Sequence, residues 1–298
     1  MDMTLAESDR HDLEPEDREE PAWLYLVHAL RSRKSGLIGL VVVTVFVTIA
    51  VLAPFIMPHP YDEPNLMGTL QRPSGEYPLG TDELGRCVLS RLIYGSRISL
   101  SVGLVAVGTG LAIGMVVGLV GGVFGGWIDQ GCMMVIDIAW SFPTVLMAIA
   151  LVAVLRPGLA GAMIALGLVT WPSYARVVRG QVLAIKGLPF VLSAKASGCG
   201  PLRLILKHIL PNIVSPVLVM ASLEVGNAII VESTLSYLGL GVQPPYPSWG
   251  TMLSSAKNFT YDYPTLMVYP GAAIMIVVLG FNLFGDALRD ALDPRLRI

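Results

Sequence analysis

Residues 98–123 read ISLSVGLVAVGTGLAIGMVVGLVGGV, and no charged side chain interrupts them. A helix that crosses a bilayer needs about 20 consecutive, mostly apolar residues, so this run is long enough to span. Within it Gly110, Gly114, Gly118 and Gly122 recur every four positions. That spacing is close to one helical turn and lays the glycines along one stripe, where two backbones can approach closely. The stripe therefore reads as a packing surface. It is not a nucleotide loop, because it lies inside an apolar run with no strand before it.

The rest of the chain repeats the pattern. Ser35 to Tyr61 carries no charge, and Gly36–Met57 forms a first span ahead of Ile98–Val123. Further spans are expected at Asp129–Leu155, Leu159–Val177, Ile213–Leu235 and Leu266–Phe284. Asp137, Pro172, Glu224 and Glu232 interrupt the third, fourth and fifth. Composition agrees: 54% of residues are hydrophobic and 14% charged, against about 25% charged in soluble domains. The expected fold is an all-α integral membrane protein with six transmembrane helices.

Charge sets the organisation. Residues 1–20 hold nine of the 22 acids against Arg10 and Arg18, leaving the tail near −7 and the remainder near +5. The expected domains are a disordered acidic cytoplasmic tail over 1–21, a first helix plus external segment over 22–97, and a five-helix core over 98–298. With both termini on one side, that side receives 12 Lys and Arg outside the tail: Arg31, Arg33, Lys34, Arg176, Arg179, Lys186, Lys195, Arg203, Lys207, Arg289, Arg295 and Arg297. The other side receives six: Arg72, Arg86, Arg91, Arg97, Arg156 and Lys257. Positive loops stay in the cytoplasm, so both termini are expected there, and segments 58–97 and 236–265 outside.

Several functions lack their chemistry. No lysine follows a glycine, so no phosphate loop ending in Gly-Lys-Ser/Thr exists. His11, His28, His59 and His208 form no HExxH pair or metal cluster, and no GxSxG elbow occurs. Asp137, Glu224 and Glu232 sit at membrane depth but in no protease motif. Cys87, Cys132 and Cys199 are too scattered for a disulfide framework. A net charge of −2 gives no basic field for nucleic acid.

The inner loop, residues 178–212, reads VRGQVLAIKGLPFVLSAKASGCGPLRLILKHILPN. It is basic and amphipathic, and it breaks at Gly198, Gly200 and Pro201. A short helix, a glycine kink and a second helix would form a ledge for a soluble partner. The alternative is a helix resting on lipid headgroups.

Ser193-Ala194-Lys195-Ala196-Ser197-Gly198, followed by Ile209-Leu210-Pro211-Asn212, resembles the signature loop of ABC importer permeases. Three more stretches resemble the C-type subunit of the dipeptide/oligopeptide/nickel branch. They are Pro78-Leu79-Gly80-Thr81-Asp82-Glu83-Leu84-Gly85-Arg86 through Ser90-Arg91, Leu238-Gly239-Leu240-Gly241-Val242-Gln243-Pro244-Pro245 through Trp249-Gly250, and Phe281-Asn282-Leu283-Phe284-Gly285-Asp286 through Asp290-Ala291-Leu292-Asp293-Pro294. Leu192 stands where the family has Glu, and Cys87 where it has Asp.

The resemblance implies a type I importer permease in a bacterial-type inner membrane. Its partners would be a second homologous permease subunit, two ATPase subunits and an external substrate-binding protein. ATP and Mg would be bound by the ATPases, with no cofactor in this chain and no enzymatic activity of its own. Docking is then expected over 190–206, on Ala194, Lys195, Ala196, Gly198, Pro201, Leu202, Arg203 and Ile205, with Pro211 beyond, and Leu202 and Ile205 supplying most of the contact energy. Peptide is the expected solute, with nickel complexes, glutathione or opine-like compounds as alternatives.

Glu224 lies 11 residues after Ile213, about 17 Å along the helix at 1.5 Å per residue. An ionised group at that depth is costly and faces a cavity or a partner. Glu232 follows about 80° around the helix, with Asn227 between. The three either line a translocation path or pack against the second permease. A self-sufficient secondary transporter would instead show inverted repeats with paired broken helices, which six spans and one outsized inner loop do not suggest.

Overall fold

The computed structural model describes residues 34–292. The acidic tail, Arg31, Arg33, Arg295 and Arg297 lie outside them. The regular elements among the described residues are all helical, joined by irregular segments over 57–87 and 238–248, with one isolated bridge between Thr81 and Cys87 and no extended strand. The helices are α1 (Lys34–Ile56), α2 (Val88–Phe124), α3 (Gly126–Trp140), α4 (Thr144–Leu155), α5 (Leu159–Ile185) and α6 (Pro189–Ala196). After them come α7 (Pro201–Tyr237), α8 (Trp249–Ala256) and α9 (Thr265–Leu292).

Four of these, α1, α2, α7 and α9, are each long and apolar enough to cross a membrane. Two bent pairs could each count as a further span: α3 with α4, at 88°, and α5 with α6, at 78°. The third expected span is therefore not one straight helix. It breaks at Ser141–Pro143, where proline disfavours helical geometry in the residue before it. At 15 and 12 residues, its halves are about 22 and 18 Å long, each short of a bilayer core of about 30 Å.

Helix α2 begins ten residues before the expected span, so the boundary drawn at residue 97 falls inside it. Arg91 obscured this start. Its guanidinium is buried, lies 3.3 Å from Asp82 and donates to the Tyr61 carbonyl at 3.1 Å. Arg86 also pairs with Asp82, at 2.8 Å, and with Glu83 at 3.1 Å. A buried charge is tolerated when it is paired and hydrogen-bonded, and this cluster holds the segment between α1 and α2 against the start of α2. Beside it Tyr61 stacks on Tyr94 with ring centres 3.9 Å apart. Burial, reinforced by Tyr94, pushes the Tyr61 hydroxyl up to about 12.

The glycine stripe sets the most extensive contact in the molecule, α2 against α5. A Cβ at Gly114 would stand 2.5 Å from the Tyr174 Cβ and 2.7 Å from the Trp171 carbonyl. At Gly118 it would meet the Ala175 carbonyl at 2.6 Å, and at Gly122 the Val182 Cβ at 2.7 Å. Only glycine permits this approach. α9 packs between α1 and α7, and α7 also lies against α2.

Candidate functional site

Two regions gather the residues singled out by sequence. The first is a cavity of about 330 Å³ walled by α3, α4, α5 and α7. Trp140, Thr144, Thr170, Ser173, Glu224 and Asn227 supply its polar or aromatic lining. Glu224 and Asn227 are three positions apart on α7 and face the same space, as their spacing predicts.

Glu232 does not join them. It is fully buried, and it accepts hydrogen bonds from the Ser236 hydroxyl at 2.7 Å, Ser99 at 3.2 Å and Ser233 at 3.4 Å. The Trp249 amide donates in turn to the Ser99 oxygen, and the Val242 amide to the Ser236 oxygen. The carboxylate thus ties α2, α7 and the start of α8 together inside the chain, and it is absent from the cavity lining. Helix phase alone placed it beside Glu224; the serine enclosure, drawn partly from residues more than 100 positions away, places it in the core.

Fixed charges stand behind the Trp140 and Ser173 wall of the cavity, outside its lining. Arg176 on α5 pairs with Asp137 on α3 at 2.6 Å, and its guanidinium carbon sits 3.9 Å over the Trp140 ring. The Trp140 indole donates to the Ser173 hydroxyl at 3.2 Å. Nearby Arg179 grips Asp129 along one guanidinium edge, its Nε–H and Nη2–H each donating to a different carboxylate oxygen, the latter at 2.7 Å. Bidentate pairs of this kind add geometric specificity and fix the tilt of α3 against α5. Trp140, Thr170 and Ser173 were missed by sequence reasoning. Their polar groups are separated from Glu224 by a break, a bend and two helices, and no local signal links them.

The second region is the loop from α6 into α7. Here α6 ends in a glycine-centred cap. The Cys199 amide donates to the Ala194 carbonyl and the Gly198 amide to the Lys195 carbonyl, both at 3.1 Å. Gly198 has φ +76, the left-handed geometry such a cap needs. The chain then turns through Gly200 into α7, whose residues Leu204–Ile209 form wider π-type turns. Val191, Leu204, Ile209 and Ile213 bury against Val178 and Val182 of α5, so α6 and the first turns of α7 are anchored to the bundle.

Lys195, Ala196, Gly198, Pro201, Leu202, Arg203 and Pro211 are exposed on this ledge. Ala194 and Ile205 are not: both are half-buried against the chain's own apolar cluster. The expectation that Ile205 faces outward is corrected. The residues with outward apolar surface are Leu202 at 69%, Leu206 at 56%, Leu192 at 52% and Phe190 at 42% exposure. The π-type turns explain the change, since they add a residue to the turn and shift the phase of the helix face.

A family model described as the binding-protein-dependent transport system inner membrane component matches residues 110–298. A second, the N-terminal TM domain of oligopeptide transport permease C, matches residues 22–73. The chain is 42% identical over 275 residues to a dipeptide transport system permease protein of Alkalihalophilus pseudofirmus, covering 92% of this chain and 90% of that one. It is 40% identical over 275 residues to an oligopeptide transport system permease protein of Bacillus subtilis, with 92% and 90% covered. It is also 40% identical over 261 residues to a glutathione transport system permease protein of Pectobacterium atrosepticum, with 86% and 85% covered. Among solved structures, a chain of the inward-facing MetNI methionine ABC transporter superposes with a TM-score of 0.58 at 20% identity, covering 68% of this chain and 97% of that one. That likeness concerns the fold.

Proposed function

The chain belongs to the binding-protein-dependent transport system inner membrane components, as a C-type ABC importer permease, and from that premise we propose that it forms half of a translocation path for peptides or similar small solutes. Membership makes it a multi-pass inner-membrane subunit, the membrane part of a transporter rather than its ATPase, which works with ATPase and binding-protein partners. The other half of the path would come from a second homologous permease. Two ATPase subunits, binding ATP and Mg, would dock from the cytoplasm, and a binding protein would deliver solute from outside. In this arrangement α3 with α4 makes one span and α5 another, with α6 turned out onto the cytoplasmic side, giving six spans with both termini in the cytoplasm.

The observation that carries the reading is the ledge. It presents Leu192, Leu202 and Leu206 outward, with Lys195 and Arg203 beside them, on α6 and the first turns of α7, both locked to the bundle. Exposed apolar side chains rimmed by charge suit a protein contact, and rigid anchoring lets motion of a docked ATPase reach α5 and α7. Transport then follows from a shift between outward-open and inward-open states, driven by a partner that binds one state better. A photo-crosslinking side chain at Leu202 should capture an ATPase subunit in the assembled transporter, whereas one at buried Leu204 should not. Capture from neither position, or equal capture from both, would contradict docking at the ledge.

For the solute, dipeptides or oligopeptides are the first reading, since relatives bearing those names align over nearly the whole chain. Glutathione is the second, because a relative so named aligns at similar identity. Ligand binding by the cognate binding protein separates the two.

A further inference from the structure

Carboxylates elsewhere around the cavity are already matched. Asp137 has Arg176 and Asp129 has Arg179, while Glu232 is enclosed by serine hydroxyls. Glu224 is half-buried, lines the cavity and has no ion-pair partner among the described residues. Arg176, the cation closest to the Trp140 wall, is committed to Asp137 and to the indole ring.

Two neutral groups around Glu224 keep an oxygen free to accept. The Thr170 hydroxyl spends its proton on the Leu166 carbonyl at 3.0 Å, leaving its oxygen only as an acceptor. The Ser173 oxygen accepts from the Trp140 indole, which leaves its own hydroxyl proton to donate. The Asn227 amide N–H donates to the Glu224 carboxyl, which leaves its carbonyl oxygen as an acceptor on the same helix face. The cavity therefore presents one carboxyl group without an ion-pair partner among the described residues, with the Asn227 carbonyl and the Thr170 oxygen as acceptors beside it, in a space of about 330 Å³, within the range that holds small organic ligands, about 300–1,000 Å³.

We infer that the cavity is a cation-selective subsite in which the Glu224 carboxylate receives the ammonium group of the passing solute, with Asn227 and Thr170 as supporting acceptors. This rests on the reading of the cavity as part of the translocation path. The ligand class is a solute with a free, protonated amine. An ammonium group donates three hydrogen bonds and carries the opposite charge. It would lose most of its water on entry and regain both interactions here. An ionised carboxylate at membrane depth is costly when alone, so the site is stabilised by what it carries and released when the path opens. A neutral or anionic solute would find neither benefit.

The test uses the assembled transporter with Cys87, Cys132 and Cys199 replaced by serine and an Asn227→Cys change in the cavity wall. Ser173→Cys serves as a second reporter in case the first disturbs assembly. The thiol is reacted with a trimethylammonium methanethiosulfonate and with a sulfonate methanethiosulfonate of similar size, each rate divided by that of a free thiol in solution. The cationic reagent should react about tenfold faster, and Glu224→Gln should bring the two rates within about twofold. Equal rates with Glu224 in place overturn the ammonium subsite and leave the path reading standing. No reaction with either reagent, while a Gly75→Cys control is labelled, overturns the path reading itself.

Discussion

Replacing Gly198 by valine should loosen the ledge while leaving the helices that carry it in place. Gly198 sits at φ +76, and a Cβ built on it would meet no atom within 4 Å. The cost is therefore one of backbone conformation, not of collision. Holding an L-residue in the left-handed region costs about 1–2 kcal/mol, and a β-branched side chain fits there worst. If the backbone relaxes instead, the cap bonds from Cys199 to Ala194 and from Gly198 to Lys195 are lost, at about 0.5–1.5 kcal/mol each. The first route lowers the ratio of ordered to disordered ledge by a factor of about 5–30, and the second, at about 1–3 kcal/mol for the two bonds together, by at least about fivefold. Asparagine tolerates this conformation better than most residues, so damage should rise in the order Asn, Ala, Val. Gly200 is an internal control: its φ is −65, and Gly200→Ala meets no neighbour. The assay is recovery of the ATPases with the purified permease, together with hydrolysis stimulated by the loaded binding protein. Gly198→Val matching the native chain, or Gly200→Ala losing as much as Gly198→Val, would refute the reasoning.

Other consequences are open to direct measurement. Gly75 and Gly187 are exposed with open space around them; with native cysteines replaced, Gly75→Cys should react with an impermeant thiol reagent from outside and Gly187→Cys should not, and the opposite pattern would reverse the orientation. Gly114→Val should cost about 1–3 kcal/mol through overpacking against α5 and lower the melting temperature in detergent, while Gly108→Ala, which meets no neighbour, should not; equal melting would refute the stripe's role. Glu232→Ala should destabilise the complex by about 1–3 kcal/mol, because buried serine hydroxyls lose their acceptor, whereas Glu232→Gln keeps an acceptor oxygen and should cost less; equal losses would contradict the enclosure.

Much of this architecture is legible along the chain because bilayer crossing imposes long apolar runs. Gly110, Gly114, Gly118 and Gly122 announced a tight contact, and the structure supplies α5 as its partner. The start of α2 was hidden because Arg91 looks like a span boundary until Asp82 and the Tyr61 carbonyl are seen to satisfy it. The break in the third span had a local signal at Pro143, but hydropathy averages across it. Ile205 turned inward because a 3.6-residue period does not hold through π-type turns. Glu224 and Glu232 show where helix phase stops informing: both lie on one helix, yet Ser99 and the segment before α8 decide which is sealed in the core. The cavity wall opposite Glu224 is a tertiary product of the α3–α5 ion pairs.

The central claim is that this permease moves solute only when energy arrives through protein contacts from ATP. The direct measurement is uptake of a labelled dipeptide into proteoliposomes holding the purified importer and loaded binding protein, with proton and sodium gradients collapsed. The account predicts uptake that requires hydrolysable ATP and both ATPase subunits, and none by this chain alone under an imposed gradient. Gradient-driven uptake by this chain without ATPases would contradict it.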